Sequence, residues 1–368
     1  VNMFGLYWMD VFGNKELLYR DLNISSLWPV AFRPGPSAGD EQGQVASKAI
    51  TAQPISTPTR PASFAVPLGK NPVSANSHTP EGGSLAEESG DEGIIFLANV
   101  YAAWPQLPRE RITRLRIVQV LPKSTWHANQ PTMGVPNISP GKQVLGTVPV
   151  EADGSALFRV PARKPLSFQA LDEHGRAVQI MRSITYVQPG EITSCVGCHE
   201  PRHLAPPAKT FPLALRRPPS RIIPGPSGSR PFSYPILVQP VLDRHCTVCH
   251  NAAKAEGGIV LTGEPAGRYS VSYITLVKYV PYSDWAGKPG DFRVVNCEPT
   301  TKPDFFGARA SRLTQLLLQD HHGVKLSQED WERLYTWMDC NALFYGTFNL
   351  ADQQRQQRGE VITGPDLE

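Results

Sequence analysis

Short β-branched and aromatic runs, broken by turn residues, fill the middle of this chain and predict strands rather than helices. Order begins at Ile94-Ile95-Phe96-Leu97-Ala98-Asn99-Val100-Tyr101, and further strands are predicted at 111–121, 144–150, 155–160, 165–171 and 177–187. The punctuation lies at Asp153-Gly154, Pro161, Asp172-Glu173-His174-Gly175 and Pro189-Gly190. Strands recurring every 8–12 residues or so predict a small β-sandwich. Ahead of them, residues 1–33 read as one or two strands with a turn at Phe12-Gly13-Asn14-Lys15. Between these regions, 34–92 is dominated by Pro, Ser, Ala, Gly and Thr and ends acidic at Glu87-Glu88-Ser89-Gly90-Asp91-Glu92. With few large apolar residues, most of it is expected to be a linker or mobile surface loop.

A second proline-rich stretch, 205–233, precedes a change of period. Residues 234–245 become helical and run straight into a cysteine motif. Within 309–320, Leu313, Leu316 and Leu317 share one face, with Gly323 expected to cap the C-terminus. Ser327 and Asp330 form a capping-box pattern. It opens a helix whose Trp331, Leu334, Tyr335 and Met338 follow i, i+3, i+4, i+7.

Composition narrows the class. The 368 residues suggest two or three domains, and 40% hydrophobic content supplies at least one core. With 36 prolines and 30 glycines, long helices should be few. A net charge of +3 gives no reason to expect a nucleic-acid partner. No apolar run reaches the roughly 18 residues of a membrane span. The chain opens on Val1-Asn2-Met3-Phe4-Gly5-Leu6-Tyr7-Trp8-Met9-Asp10, an apolar strand without a basic leader. It reads as the C-terminal part of a longer protein, or as one whose N-terminus was lost in gene calling.

Four of the 6 cysteines fall in two runs, Cys195-Val196-Gly197-Cys198-His199 and Cys246-Thr247-Val248-Cys249-His250. Two thiols one helical turn apart reach the two vinyl groups of a haem as thioethers, and the next residue aims an imidazole at the iron. Two such runs make coincidence negligible, and two covalently bound haem c groups are expected. A redox dithiol would need a thioredoxin-like βαβ context, which is absent. Zinc could use the cysteine pairs, but it does not require a histidine after each. Cys297 and Cys340 remain, and an oxidising compartment permits a disulfide between them.

The second axial ligand decides whether an iron relays electrons or binds substrate. For the second haem the candidates are His321 and His322, with His321 favoured and a solvated loop histidine as the bland alternative. Met338 is expected on a packed helix face. For the first haem, His203 lies four residues past His199, across Glu200-Pro201-Arg202. His203 reaches the iron or the macrocycle edge, or it is exposed; His127 is a second candidate. Arg202 pairs with a haem propionate or is solvated.

These residues resemble a family. Val144-Leu145-Gly146-Thr147-Val148-Pro149-Val150-Glu151-Ala152-Asp153-Gly154-Ser155, Phe168-Gln169-Ala170-Leu171-Asp172-Glu173, Met181-Arg182-Ser183 and Gln188-Pro189-Gly190-Glu191 lead into the first haem motif. With Val324-Lys325-Leu326 and Trp337-Met338-Asp339-Cys340-Asn341-Ala342-Leu343-Phe344-Tyr345-Gly346, they resemble the hydrazine synthase alpha subunit and its planctomycete relatives. The opening Tyr7-Trp8-Met9-Asp10-Val11-Phe12-Gly13-Asn14-Lys15-Glu16-Leu17-Leu18 resembles the end of that family's propeller. The resemblance implies a six-bladed β-propeller ending in 1–33, a middle domain at 93–225 with an active-site haem, and a C-terminal domain at 226–351 with a bis-histidine haem. A polar tail, 352–368, follows. It also implies a CxxCH histidine, here His199, turned towards a zinc ion near the first haem. In the family a tyrosine four residues on binds that iron; His203 stands at that position here.

The expected fold class is therefore mixed. The N-terminal half is mainly β, with the end of a β-propeller and then a small β-sandwich-like haem domain, and a small α-helical cytochrome c-like domain follows. In one functional reading the chain is a redox enzyme. Its first haem, with His203 and His199, acts on a small nitrogenous substrate while the second relays electrons. In the other it is an electron-transfer or sensing cytochrome module without chemistry of its own. A weaker third makes 93–190 a carbohydrate- or protein-binding sandwich with accessory haems. Expected partners are a redox cytochrome or other subunits of a multihaem complex. The compartment is periplasmic or equivalent, and the anammoxosome for a true hydrazine synthase.

Overall fold

Strand β3, Glu92–Leu97, buries every second residue, with Gly93, Ile95 and Leu97 inward. That period-two pattern builds the core of this chain in a computed structural model. The structure describes residues 6–9, 15–19, 91–108, 112–127, 129–137, 139–198, 211–226, 228–284, 294–295 and 302–363. It divides into two units, Val1–Gly83 and Ser84–Glu368. In the first unit, β1 (Leu6–Met9) and β2 (Lys15–Tyr19) pair antiparallel, Trp8 opposite Glu16. This agrees with one or two strands in 1–33. The turn at 12–14 and the linker expected up to residue 90 lie outside the described residues.

The second unit holds two larger sheets and a set of short helices. The four-stranded sheet runs β5 (Lys142–Pro149), β4 (Arg114–Val120), β7 (Leu166–Leu171), β8 (Ala177–Ile180), with all neighbours antiparallel. The three-stranded sheet runs β6 (Ala156–Pro161), β3, β9 (Ile192–Cys195), and β9 lies parallel to β3. Ile95, Leu97, Phe158 and Val160 from one sheet share a single cluster with Leu115, Ile117, Leu166 and Ala170 from the other. The strand expected at 177–187 stops at Ile180. Beyond it Arg182 turns away to donate to Ser283 Oγ at 2.6 Å, and only an isolated bridge, Thr185 to Leu166, remains in register.

Strand β4 is buried on both faces. Leu115 and Ile117 join the sheet core, while Val118 packs into a second cluster with Trp337, Tyr234, Tyr273 and Phe344. That second cluster is built by α1 (Tyr234–Leu237), α2 (Gln239–His245), α3 (Val271–Leu276) and α6 (Gln328–Asp339), with α4 (Gly307–Ala310), α5 (Arg312–Leu318) and α7 (Leu350–Gln357) around it. The helical stretch expected at 234–245 breaks at Val238, because Pro235 and Pro240 sit in helix-start positions and lack the N–H a continuous helix needs. That expected at 309–320 is interrupted at Ser311, whose Oγ caps α5 by accepting from Leu313 N at 3.1 Å.

Helix α6 opens with the predicted capping box: Ser327 Oγ accepts from Asp330 N at 3.1 Å. Leu334, Tyr335 and Met338 are buried and Trp331 is half-buried, stacked on Tyr335. Met338 is thus a packing residue, as expected.

The middle sheet and the helices are joined by a buried polar network. Arg116 and Asp339 are each 1% exposed and pair at 3.0 Å. Arg116 also donates to Gln169 Oε1 (2.7 Å) and Gly175 O (3.0 Å), while Asp339 accepts from Ala177 N and Ala308 N. Burial raises the Asp339 carboxyl, against the downward pull of Arg116.

Candidate functional site

The second cysteine motif continues α2. Cys246 N donates to Leu242 O at 2.8 Å, and His250 N donates back to Cys246 O at 2.9 Å, so 246–250 form one further helical turn. The chain then reverses through Ala255 (φ 40), and Leu261 N returns to His250 O at 2.8 Å. This reversal places Glu256 O 3.1 Å from His250 Nδ1. A carbonyl only accepts, so Nδ1 is the donor in this bond and Nε2 is turned away from it.

Opposite stands His321. Helix α5 ends at Leu318, and Gln319 and the left-handed Asp320 (φ 60) turn the chain. His322 is also left-handed (φ 48), and Gly323 (φ 76) closes the turn. Gly323 therefore caps this turn and not the helix; Asp320 takes the left-handed position just past α5. Two non-glycine residues in that region cost about 1 kcal/mol each or more. The strained turn holds the His321 ring 6.0 Å from that of His250, centre to centre, at an interplanar angle of 11°. His322 is exposed and lies edge-on against His321 at 4.6 Å.

His250, His321 and Cys246 share one cavity. Its walls are Leu242, Ile259, Leu261, Leu276, Leu313, Leu316, Leu317 and Leu334, with Tyr279 at the edge. The cavity measures about 120 Å³. Burial and the nearby Asp243 push the Cys246 thiol up to about 11. Of the lining, the α5 leucines were legible from their spacing, whereas Ile259, Leu261, Leu276 and Tyr279 come from a segment without a periodic signal.

The first motif is positioned differently. Cys195 is the last residue of β9, opposite Leu97 of β3. The backbone continues onto the 98–102 turn, with Ala98 N donating to Cys195 O at 2.9 Å and Asn99 N to Val196 O at 3.0 Å. Both cysteines pack against the sheet core. Gly197 lies so close to the Ala102 carbonyl that no Cβ fits. Just upstream, Glu191 accepts from Thr193 Oγ1 and Gln188 N, both at 2.6 Å, and these bonds lower its carboxyl. His199, Arg202, His203 and Cys297 lie outside the described residues. His127 is on an exposed loop. Cys340 is a buried thiol. Among the described residues no group of three His, Cys, Asp or Glu side chains could hold a metal ion, and no helix is long and apolar enough to cross a membrane.

Fold and sites together define a mixed β/α chain carrying paired CxxCH motifs, one on a sheet edge and one at a helix end. Residues 110–200 match the family model of the hydrazine synthase alpha subunit middle domain, so over this segment the resemblance read from the sequence is borne out. A chain of Kuenenia stuttgartiensis hydrazine synthase is structurally similar, with 17% identity and a TM-score of 0.49 over 77% of this chain. The match spans 45% of that chain's own length. No curated protein matches the sequence.

Proposed function

We propose that this is an exported dihaem c-type redox protein of the hydrazine synthase alpha kind. Cys246 and Cys249 would hold one haem with His250 and His321 on its two faces, and Cys195 and Cys198, with His199, would hold the other. The observation that carries this reading is the opposition of His250 and His321. A metal bound about 2 Å from a nitrogen of each ring, with about 1 Å more to each ring centre, needs a centre separation near 6 Å. The rings stand 6.0 Å apart. The wall is leucine-rich, as a macrocycle requires, and Cys246 opens into the same space.

A haem there would supply one-electron transfer. The chain's own residues set its conditions. Glu256 O holds the His250 ring in one tautomer and orientation. The apolar wall keeps water and protein anions away, and so tunes the potential. With His250 and His321 both holding it, such a haem would relay electrons rather than bind substrate. Substrate chemistry then belongs to the first motif, where the family likeness is found. We assign it a small nitrogenous substrate, with electrons delivered through the second haem from a redox cytochrome or a neighbouring subunit. His203 and His199 are its proposed catalytic pair, with zinc beside His199 as the family pattern implies.

Haem staining on denaturing gels and intact mass, after maturation in an exporting host with haem-attachment machinery, test the cofactor. Two haems per chain are expected; the mass of the bare polypeptide overturns the reading. Paramagnetic resonance tests the division of labour. One low-spin and one high-spin, carbon-monoxide-binding iron mark an enzyme with a relay, whereas two low-spin irons mark an electron-transfer module.

A further inference from the structure

A second cavity, of about 280 Å³, lies between the middle sheet and the C-terminal end of α6. It contains neither cysteine motif. Lys142, the first residue of β5, is half-buried and lines it. Its amine donates to Cys340 O at 3.2 Å, and no carboxylate pairs with it among the described residues. Burial lowers the Lys142 pKa; the Cys340 thiol pulls the other way, and the Arg182 charge adds to the lowering. A lysine kept for structure would hold its charge against a carboxylate. This one gives a hydrogen to a carbonyl and is neutral more often than a surface lysine, and a neutral amine is a nucleophile.

The rest of the lining is divided. Val118, Val120 and Phe306 are apolar, while Asn137 and Ser139 offer hydrogen-bonding groups. Ser139 Oγ accepts from Asn341 Nδ2 at 2.7 Å and keeps its own hydrogen to donate. Asn137 buries an Oδ1 that has no partner among the described residues. An acceptor left idle in a buried wall is the mark of a missing ligand or water. Whatever fills that place must bring a donor, and a hydroxyl formed on a carbonyl carbon brings one.

We propose that Lys142 forms an imine with a small aldehyde held in this cavity. The nitrogen lone pair adds to the carbonyl carbon. The carbonyl π pair moves to the oxygen, which takes the proton that nitrogen sheds. The carbinolamine hydroxyl so formed donates to Asn137 Oδ1. That hydroxyl then leaves as water with the second nitrogen proton, and a C=N bond remains. One aldehyde and one amine give one imine and one water, with no oxidant, reductant or co-reactant. The Ser139 hydroxyl supplies the donor that polarises the aldehyde oxygen, and the apolar wall takes the chain attached to the carbonyl. The space exceeds the roughly 150 Å³ that admits benzene, so an aldehyde of about that size fits.

Reductive trapping tests this. The haem-loaded chain is incubated at neutral pH with butanal and sodium cyanoborohydride, and butylated lysines are located and quantified by peptide mass mapping. Lys142 should be labelled at least fivefold faster than the exposed Lys278. Its rate should saturate with butanal, as binding before reaction requires, while that of Lys278 rises linearly. Asn137→Ala should slow labelling of Lys142 at least threefold and leave Lys278 within twofold. Labelling of Lys142 that is no faster than that of Lys278, or that does not saturate, overturns the proposal. So does an unchanged Lys142 rate in a folded Asn137→Ala chain. Should that variant fail to fold, the comparison of the two lysines within the unaltered chain decides.

Discussion

At the scale of single residues, the sharpest distinction is between His321 and His322. Adjacent in sequence, they differ in which one a left-handed turn aims at His250. Replacing His321 with Ala should convert one haem per chain from low to high spin, seen in the absorption and paramagnetic resonance spectra, while His322→Ala leaves both signals in place. Gly197 makes a second residue-scale case. A methyl there meets the Ala102 carbonyl, which belongs to the turn that seats the motif. Gly197→Ala should cost about 1–3 kcal/mol and lower haem content from two towards one, read as the haem-to-protein ratio.

At the scale of elements, α6 illustrates what sequence alone could tell. Its start, its apolar face and its capping box were all visible, because each is local: Ser327 and Asp330 are three residues apart. Ser327→Ala should lower stability by about 1 kcal/mol, measured as a drop in Tm. The strands of the four-stranded sheet were legible for the same reason; most of their ends moved by three residues or fewer, but the last strand stops at Ile180, well short of the expected 187. What stayed hidden is non-local. Nothing in 205–233 announces that Thr147 pairs with Ile223 and Gln143 with Pro231. The break at Ser311 could not be separated from an ordinary helical serine. The cavity beside Lys142 also escaped notice, since its polar residues come from five separate stretches of chain.

Asp172, at the end of β7, gives this scale a pH dependence. Burial favours its neutral form, but bonds from Arg176 N, the Arg176 guanidinium and Arg309 outweigh it and hold the carboxyl below its usual range. A carboxyl depressed by folding adds stability above its unfolded value, near ~4, and loses that contribution as pH falls through the lower folded value. Asp172→Asn should therefore destabilise by about 2–4 kcal/mol at neutral pH and flatten the acid limb of the stability curve below about pH 4. Urea melts at several pH values check both.

At the scale of the whole molecule, β4 couples the layers, sending Leu115 and Ile117 into one core and Val118 into the other. Arg116 crosses the same boundary to Asp339. Removing one partner of a buried pair typically costs about 3–5 kcal/mol. Asp339→Ala should lose that much. In urea, the fluorescence of the buried Trp337 and the position of the Soret band should change together in a single transition, because neither core closes without the other. Two separate midpoints in the unaltered protein would contradict this.

The Arg116–Asp339 pair also has a consequence in time. Its members are 223 residues apart in the chain. A polypeptide delivered N-terminus first completes β4 long before its carboxylate exists, and contacts of such long range are formed late and slowly. During that interval the middle sheet presents Val118 and a bare guanidinium to whatever is nearby. Final closure of the sheet must therefore wait for the end of α6 to arrive, and chains stopped short of it should depend on holding chaperones to stay out of aggregates.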